Sequence, residues 1–173
     1  AGPLELHRPR CSAPVGSTTC ARSPAAAPMV ATVASNLVGA TCLAPTPGTV
    51  RPYMPPVTSV LPPCFRSDPV TLALDVAGIE VPLRDARIAG TYFGDPAQGI
   101  NGGLLVGFVT MADARATILP AGLPMIGGRT LESLLPGGNG ACTGFADTDV
   151  HAGATGWWFY FNFPADSVLW TGS

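Results

Sequence analysis

Charged residues are scarce in this chain, and lysine is absent from it. Only 12% of the 173 residues are charged, and all nine Lys or Arg positions are arginine, against eleven acids. The formal net charge is −2, and the arginines form no basic block, so the electrostatic footprint of a nucleic-acid-binding protein is missing. We therefore expect no nucleic-acid partner.

Long hydrophobic runs and leader signals are also missing. No apolar stretch reaches the roughly 18 to 20 residues that cross a bilayer, so no transmembrane segment is predicted. The sequence starts at Ala1 without an initiator Met or the apolar core of a signal peptide, as a processed, exported chain would, and as a chain shortened in another way also would.

Histidine is limited to His7 and His151, and the common catalytic motifs are absent. We find no G-x-S-x-G elbow, no P-loop and no H-E-x-x-H pair. The glycines of "GINGGLLVGF" lead into a strand and not a helix, unlike a dinucleotide-binding fingerprint. The sequence thus predicts a protein that is not an enzyme, and we assign no catalytic residues.

Five cysteines are present, and no two have the C-x-x-C spacing of a zinc site. Near-neighbour pairing predicts disulfides Cys11–Cys20 and Cys42–Cys64 in an oxidising compartment, although four cysteines allow three connectivities. Cys142 is left unpaired. A buried thiol, a bridge to the N-terminal region and an intermolecular link all remain open for it.

The two ends of the chain differ in composition. Residues 1–69 hold 13 of the 19 prolines and five arginines against two acids, a net of +3. Residues 70–173 hold four arginines against nine acids, a net of −5. Because proline fixes φ and lacks an N–H, we predict a Pro-rich extended arm (1–69) and a β-rich globular domain (70–173). Disulfides, docking on its own domain and docking on a neighbouring subunit are the open alternatives for what orders the arm.

Period-two alternation of apolar residues predicts the strands. In the arm, 28–42 reads as one strand or two short ones. "VTLALDV" (70–76) and the residues from Ile79 to Leu83 form a hairpin, and further strands are predicted at 84–93, 103–110, 157–163 and 167–170. Short helices are predicted after Thr110 and Thr130, with a capping-box start at Thr110 and Asp113. The fold class is mainly β, an antiparallel sandwich or compact sheet with two short helices and a disulfide-tied arm.

The aromatic strand at 157–163 is apolar on both faces. Alternation places Trp158 and Tyr160 on one face, and Trp157, Phe159, Phe161 and Phe163 on the other. Such a strand is normally central and covered twice. The alternatives are an exposed Trp158/Tyr160 platform that stacks on sugar rings, as in a carbohydrate-binding module, and a protein interface.

The segment "ADTDVHAG" raises a metal-site hypothesis. Asp147, Asp149 and His151 lie at i, i+2 and i+4, so an extended backbone would put them on one face. Alternating acids suit Ca²⁺, but an EF-type loop needs an acid at the position held by Trp158, and histidine favours a transition metal. A metal-dependent hydrolase that uses a bound ion at 147–151 is therefore an alternative function; an ordinary polar loop is the other interpretation.

The stretches "VPLRDARIAGTYFGDP", "GLLVGFVTMADARATILP" and "GWWFYFNFPADSVLW" resemble secreted proteins and lipoproteins of myxobacteria that carry no assigned activity. The resemblance covers about residues 70–170 and implies only export from a bacterium of high GC content.

These observations together favour an exported structural or interaction protein, secreted or on a bacterial cell surface. Because the charges of arm and domain are opposite, we predict a protein partner and self-assembly through the arm, as in the repeating subunit of a filament.

Overall fold

The computed structural model describes residues 2–7, 9–11, 18–22, 30–51, 53–76, 78–140 and 145–171. In these residues the chain is mainly antiparallel β-structure, which confirms the predicted fold class. The strands are β1 (Gly2–Leu6), β2 (Pro9–Cys11), β3 (Thr19–Arg22), β4 (Val30–Leu37), β5 (Cys64–Ser67), β6 (Val70–Val76), β7 (Ile79–Phe93), β8 (Gly99–Thr110), β9 (Asp149–His151), β10 (Ala154–Asp166) and β11 (Leu169–Thr171). The helical segments are α1 (Met111–Ala116) and a 3₁₀ helix (Leu131–Leu134).

The main sheet has the strand order β1-β4-β5-β7-β8-β10-β9, and β6 joins it by pairing with β7. All of these pairs are antiparallel. The long β7 pairs with β6 along its first half and with β5 along its second half. Strands from the Pro-rich arm and from the β-rich domain therefore form one sheet.

A second, smaller sheet has the order β11-β3-β2. The C-terminal strand β11 runs parallel to β3, and β2 pairs antiparallel with β3 so that Cys11 lies opposite Cys20. The predicted disulfides Cys11–Cys20 and Cys42–Cys64 are both present, which confirms the near-neighbour connectivity. Cys142 lies outside the described residues.

The residues predicted as two strands at 79–83 and 84–93 form the single strand β7. The register between β7 and β8 shifts between Arg84 and Arg87, and Asp85 has a φ of 48°. This irregularity is a β-bulge, which bends a strand and re-aims a side chain without ending the strand.

Two apolar clusters lie on the two faces of the sheet. One cluster includes Leu83, Ile88 and Trp157, and Phe159, Phe161 and Phe163 pack against it. The other includes Cys42, Leu104 and Tyr160, with Trp158 packed against it. The arm segment 42–60 covers the face of β10 that carries Tyr160, whereas Phe159, Phe161 and Phe163 on the other face are only partly buried. The predicted central position is wrong, because β10 lies beside the end strand β9 and pairs with it only over residues 154–156.

The helical segments begin where the sequence predicts. Thr110 caps α1 by accepting a hydrogen bond from the Asp113 backbone N–H, and Thr130 caps the 3₁₀ helix in the same way through Ser133. The helix after Thr110 is shorter than the stretch "MADARATIL" that suggested it, since α1 ends at Ala116. Among the described residues there is no helix of the length and hydrophobicity needed to span a membrane.

Candidate functional site

The face of β10 that carries Tyr160 packs against the arm segment between Cys42 and Cys64. The Thr46 backbone N–H donates to the Tyr160 hydroxyl at 3.0 Å, and the Thr49 hydroxyl also bonds to it. Further along, the Asn162 side chain accepts from the Thr58 N–H at 2.9 Å and donates to the Thr58 carbonyl at 3.0 Å. Of the three alternatives for ordering the arm, the described residues show docking on its own domain together with the disulfides.

The predicted sugar-stacking platform of Trp158 and Tyr160 is not formed. Tyr160 is only 3% exposed, because the arm covers its ring and engages its hydroxyl. Trp158 is half-buried, with its ring 4.7 Å from the His151 ring and 5.2 Å from the Phe108 ring, measured between centroids. No pair of coplanar, open ring faces therefore exists on this side of β10.

The metal site predicted at 147–151 is not formed either. Strand β9 carries Asp149 and His151, but Asp147 precedes it, and its backbone N–H bonds to the Pro136 carbonyl. The His151 imidazole Nε2 lies 2.7 Å from the Asp85 carboxylate, which the β7 bulge brings to it. Across the part of the chain that the structure describes, no three His, Cys, Asp or Glu side chains could hold one metal ion.

Two ion pairs tie the helical segments to their surroundings. Arg84 binds Asp113 through two hydrogen bonds of 2.7 and 3.0 Å, and Arg115 binds Glu132 at 3.0 and 2.9 Å. The hydrogen bond from Arg84 is the main reason that the pKa of Asp113 lies below its usual range. These carboxylates have structural partners, in agreement with the interpretation of Asp113 as a helix cap.

An apolar depression lies on the face of the main sheet that carries the first apolar cluster. It is a cleft of about 630 Å³, which we call the apolar cleft. Its walls come from strands across the sheet, from β1 at one end to β10 beside the other end. Its described lining residues are Leu4, Leu6, Phe65, Leu74, Asp75, Val76, Ile88, Ile100, Leu105, Phe161 and Phe163.

A row of four paired residues crosses the sheet at the apolar cleft. Phe65 pairs with Gly90, Gly90 with Gly103, and Gly103 with Phe163. A Cβ added at Gly90 would lie 2.8 Å from the Phe65 ring, and one at Gly103 would lie 2.6 Å from the Phe163 ring. The two phenylalanine rings thus lie over the backbone of β7 and β8, because glycine has no side chain to block this close approach.

Sequence reasoning missed the apolar cleft. The alternation in β10 places Phe161 and Phe163 on one face, but it does not reveal that facing glycines on β7 and β8 let the Phe65 and Phe163 rings lie over the backbone. Glycines spaced along two neighbouring predicted strands are the signal that could have found it.

The comparisons with known proteins add no relative: neither a family model nor a curated protein nor a solved structure matches the chain.

Proposed function

We propose that this chain is an exported interaction protein without catalytic activity, which holds a small, uncharged, apolar molecule in the apolar cleft. The observation that carries the proposal is a cleft of about 630 Å³ whose described lining residues include a single charged one, Asp75.

The size of the cleft favours a small molecule over a protein partner. Pockets for small ligands typically measure about 300 to 1,000 Å³ and are concave. A stable protein interface buries about 800 Å² on each partner and is broad, which a depression of this size does not supply.

The lining sets the chemistry of the ligand. Ten of the eleven described lining residues are apolar, among them Leu6, Ile100 and Phe163. A polar or charged ligand would lose its hydration without gaining hydrogen bonds, whereas each buried CH₂ group contributes about 0.8 kcal/mol. An apolar chain or ring system is the ligand that gains most from this surface.

The disulfides support an exported location for this protein. Both bridges are of the kind that persists in oxidising compartments, and the resemblance to secreted myxobacterial proteins agrees with this. We therefore place the protein outside the bacterial cytoplasm, secreted or on the cell surface.

Titration with the uncharged fluorophore N-phenyl-1-naphthylamine tests the proposal. We expect a saturable rise in emission with the wild-type chain and NMR contacts between the probe and the rings of Phe161 and Phe163. Leu6→Asp places a charge in the cleft and should weaken binding by about tenfold or more, equivalent to about 1.4 kcal/mol.

Met125→Asp is the matched control, since Met125 is 96% exposed and its positive φ suits aspartate. It should bind the probe as the wild type does, and circular dichroism should show that both variants fold. Saturable emission without contacts to Phe161 and Phe163, or no emission change at all, would contradict the proposal.

A second candidate is the repeating subunit of a self-assembling structure. Exposed apolar side chains on the segment between β4 and β5 favour it: Val38 is 84%, Met54 86% and Leu61 59% exposed. Light scattering on the full chain should then give a mass above that of one chain, and Val38→Asp should lower it. A single-chain mass at every concentration would remove this candidate.

A further inference from the structure

A second depression lies at the outer edge of β10, where its pairing with β9 ends. The β9–β10 register pairs Gly156 with Asp149, and its continuation would place Asp147 opposite Trp158. The chain turns away instead, and the Tyr53 hydroxyl takes the vacant edge position. That hydroxyl donates to the Trp158 carbonyl and accepts from the Tyr160 N–H, both at 3.1 Å.

The resulting pocket has a volume of about 340 Å³, and we call it the edge pocket. Aromatic residues make up much of its lining: Tyr53, Trp157, Trp158 and Phe159. Asp147 is the one charged residue in the part of its lining that the structure describes.

The aromatic walls are fixed by contacts with neighbouring residues. The Trp157 indole N–H donates to the Pro136 carbonyl at 2.8 Å. The Trp158 ring packs on His151, and the Tyr53 ring meets the Tyr160 ring edge-on, with centroids 5.5 Å apart. Burial raises the pKa of Tyr53 to about 12, so its hydroxyl stays protonated and engaged at the strand edge.

Among the described residues, no side chain forms a hydrogen bond or an ion pair with the Asp147 carboxylate, although the charge of Arg51 acts on it from a distance. Partial burial and the nearby Asp149 raise its pKa above the usual range, while Arg51 acts in the opposite direction. A carboxylate in this setting gains from a positive charge brought into the pocket.

We propose that the edge pocket binds a small organic cation of the quaternary-ammonium type against its aromatic lining, with Asp147 as its counter-ion. Ring faces attract such cations, and the attraction grows as the cation is desolvated. A sugar fits less well, because it needs several polar partners and the Tyr53 hydroxyl is already used.

Choline and its neutral isostere 3,3-dimethylbutan-1-ol test the proposal by NMR titration of the full chain. We expect choline to shift the Trp158 indole signals saturably and the isostere to bind about tenfold more weakly or less. Added salt should weaken choline binding, because the ion pair is screened.

Asp147→Asn should weaken choline binding by about tenfold while leaving the fold intact, since no described side chain forms a hydrogen bond or an ion pair with this carboxylate. Asp95→Asn, at an exposed turn, is the matched control and should bind choline as the wild type does.

Equal binding of choline and its isostere, unchanged binding by Asp147→Asn, or no shift of the Trp158 signals would overturn the proposal. Shifts caused by methyl glucoside but not by choline would overturn it in favour of a carbohydrate site. The apolar cleft and its probe are independent of this outcome.

Discussion

At the scale of single residues, Glu132 is a charged residue that is buried. Its side chain is 2% exposed, yet it carries a carboxylate, and Arg115 satisfies both oxygens. Burying a carboxylate is costly unless it is paired and hydrogen-bonded. The pair therefore fixes how the 3₁₀ helix sits against α1.

The acid sensitivity of stability follows from this pair. The hydrogen bond from Arg115 lowers the pKa of Glu132, and burial opposes it. A lowered pKa in the folded state means that the stabilisation is present above the unfolded value, about 4.3, and is lost as pH falls through the folded pKa. Urea unfolding should show the free energy of unfolding declining in this acid range.

Glu132→Gln should be less stable than the wild type at neutral pH and should lose less stability in acid. The part of the stability loss in acid that comes from Asp113, whose pKa is also lowered, should remain in this variant. Glu80→Gln, at an exposed position of β7, is the matched control. A Glu132→Gln curve parallel to that of the wild type across the acid range would contradict the argument.

At the scale of elements, the segment between Cys42 and Cys64 serves as the cover of β10. The disulfide spans 22 residues, and its two cysteines are 1% and 3% exposed within the second apolar cluster. The bridge thus restrains the unfolded chain and packs in the core of the folded one.

Replacing both Cys42 and Cys64 by alanine should lower the free energy of unfolding by about 3 kcal/mol from loop closure alone. It should also loosen the hydrogen bonds around Tyr160, measurable as faster amide exchange in β10. The double replacement of Cys11 and Cys20, which spans 9 residues, is the control. It should cost about 2.5 kcal/mol and leave exchange in β10 unchanged.

Features that depend on neighbouring residues could be predicted from the sequence, whereas contacts between distant residues could not. Alternation is a local property, so the two faces of β10 and the cap at Thr110 were accessible from neighbouring residues. The bond between Tyr53 and Tyr160 joins residues 107 apart, and the contact of His151 with Asp85 depends on a bulge in another strand. Such pairings follow from register and bulges, which residue patterns do not encode on their own.

At the scale of the whole molecule, the arm and the domain share one core. β4 pairs with β5, and β5 pairs with β7, so the sheet crosses the boundary at residue 69 that composition suggests. Leu4 and Leu6 of β1 also pack against the first apolar cluster. The compositional boundary marks a change in proline content within a continuous sheet.

We therefore expect residues 70–173 alone not to unfold cooperatively, since they lack three strands of the main sheet. Urea titration followed by tryptophan fluorescence should give a broad, shallow change for this fragment and a sharp transition for the full chain. A sharp transition in the fragment, with a native-like fluorescence maximum, would show that the domain folds by itself.

The parallel pairing of β3 with β11 has a mechanical consequence. Tension applied between the residues before β3 and the residues after β11 would pull the two strands along their length in opposite directions. The backbone hydrogen bonds between them would then carry the load side by side, in shear, and would have to break together and not one after another. The small sheet formed by β2, β3 and β11 would in this way resist mechanical stretching of the chain.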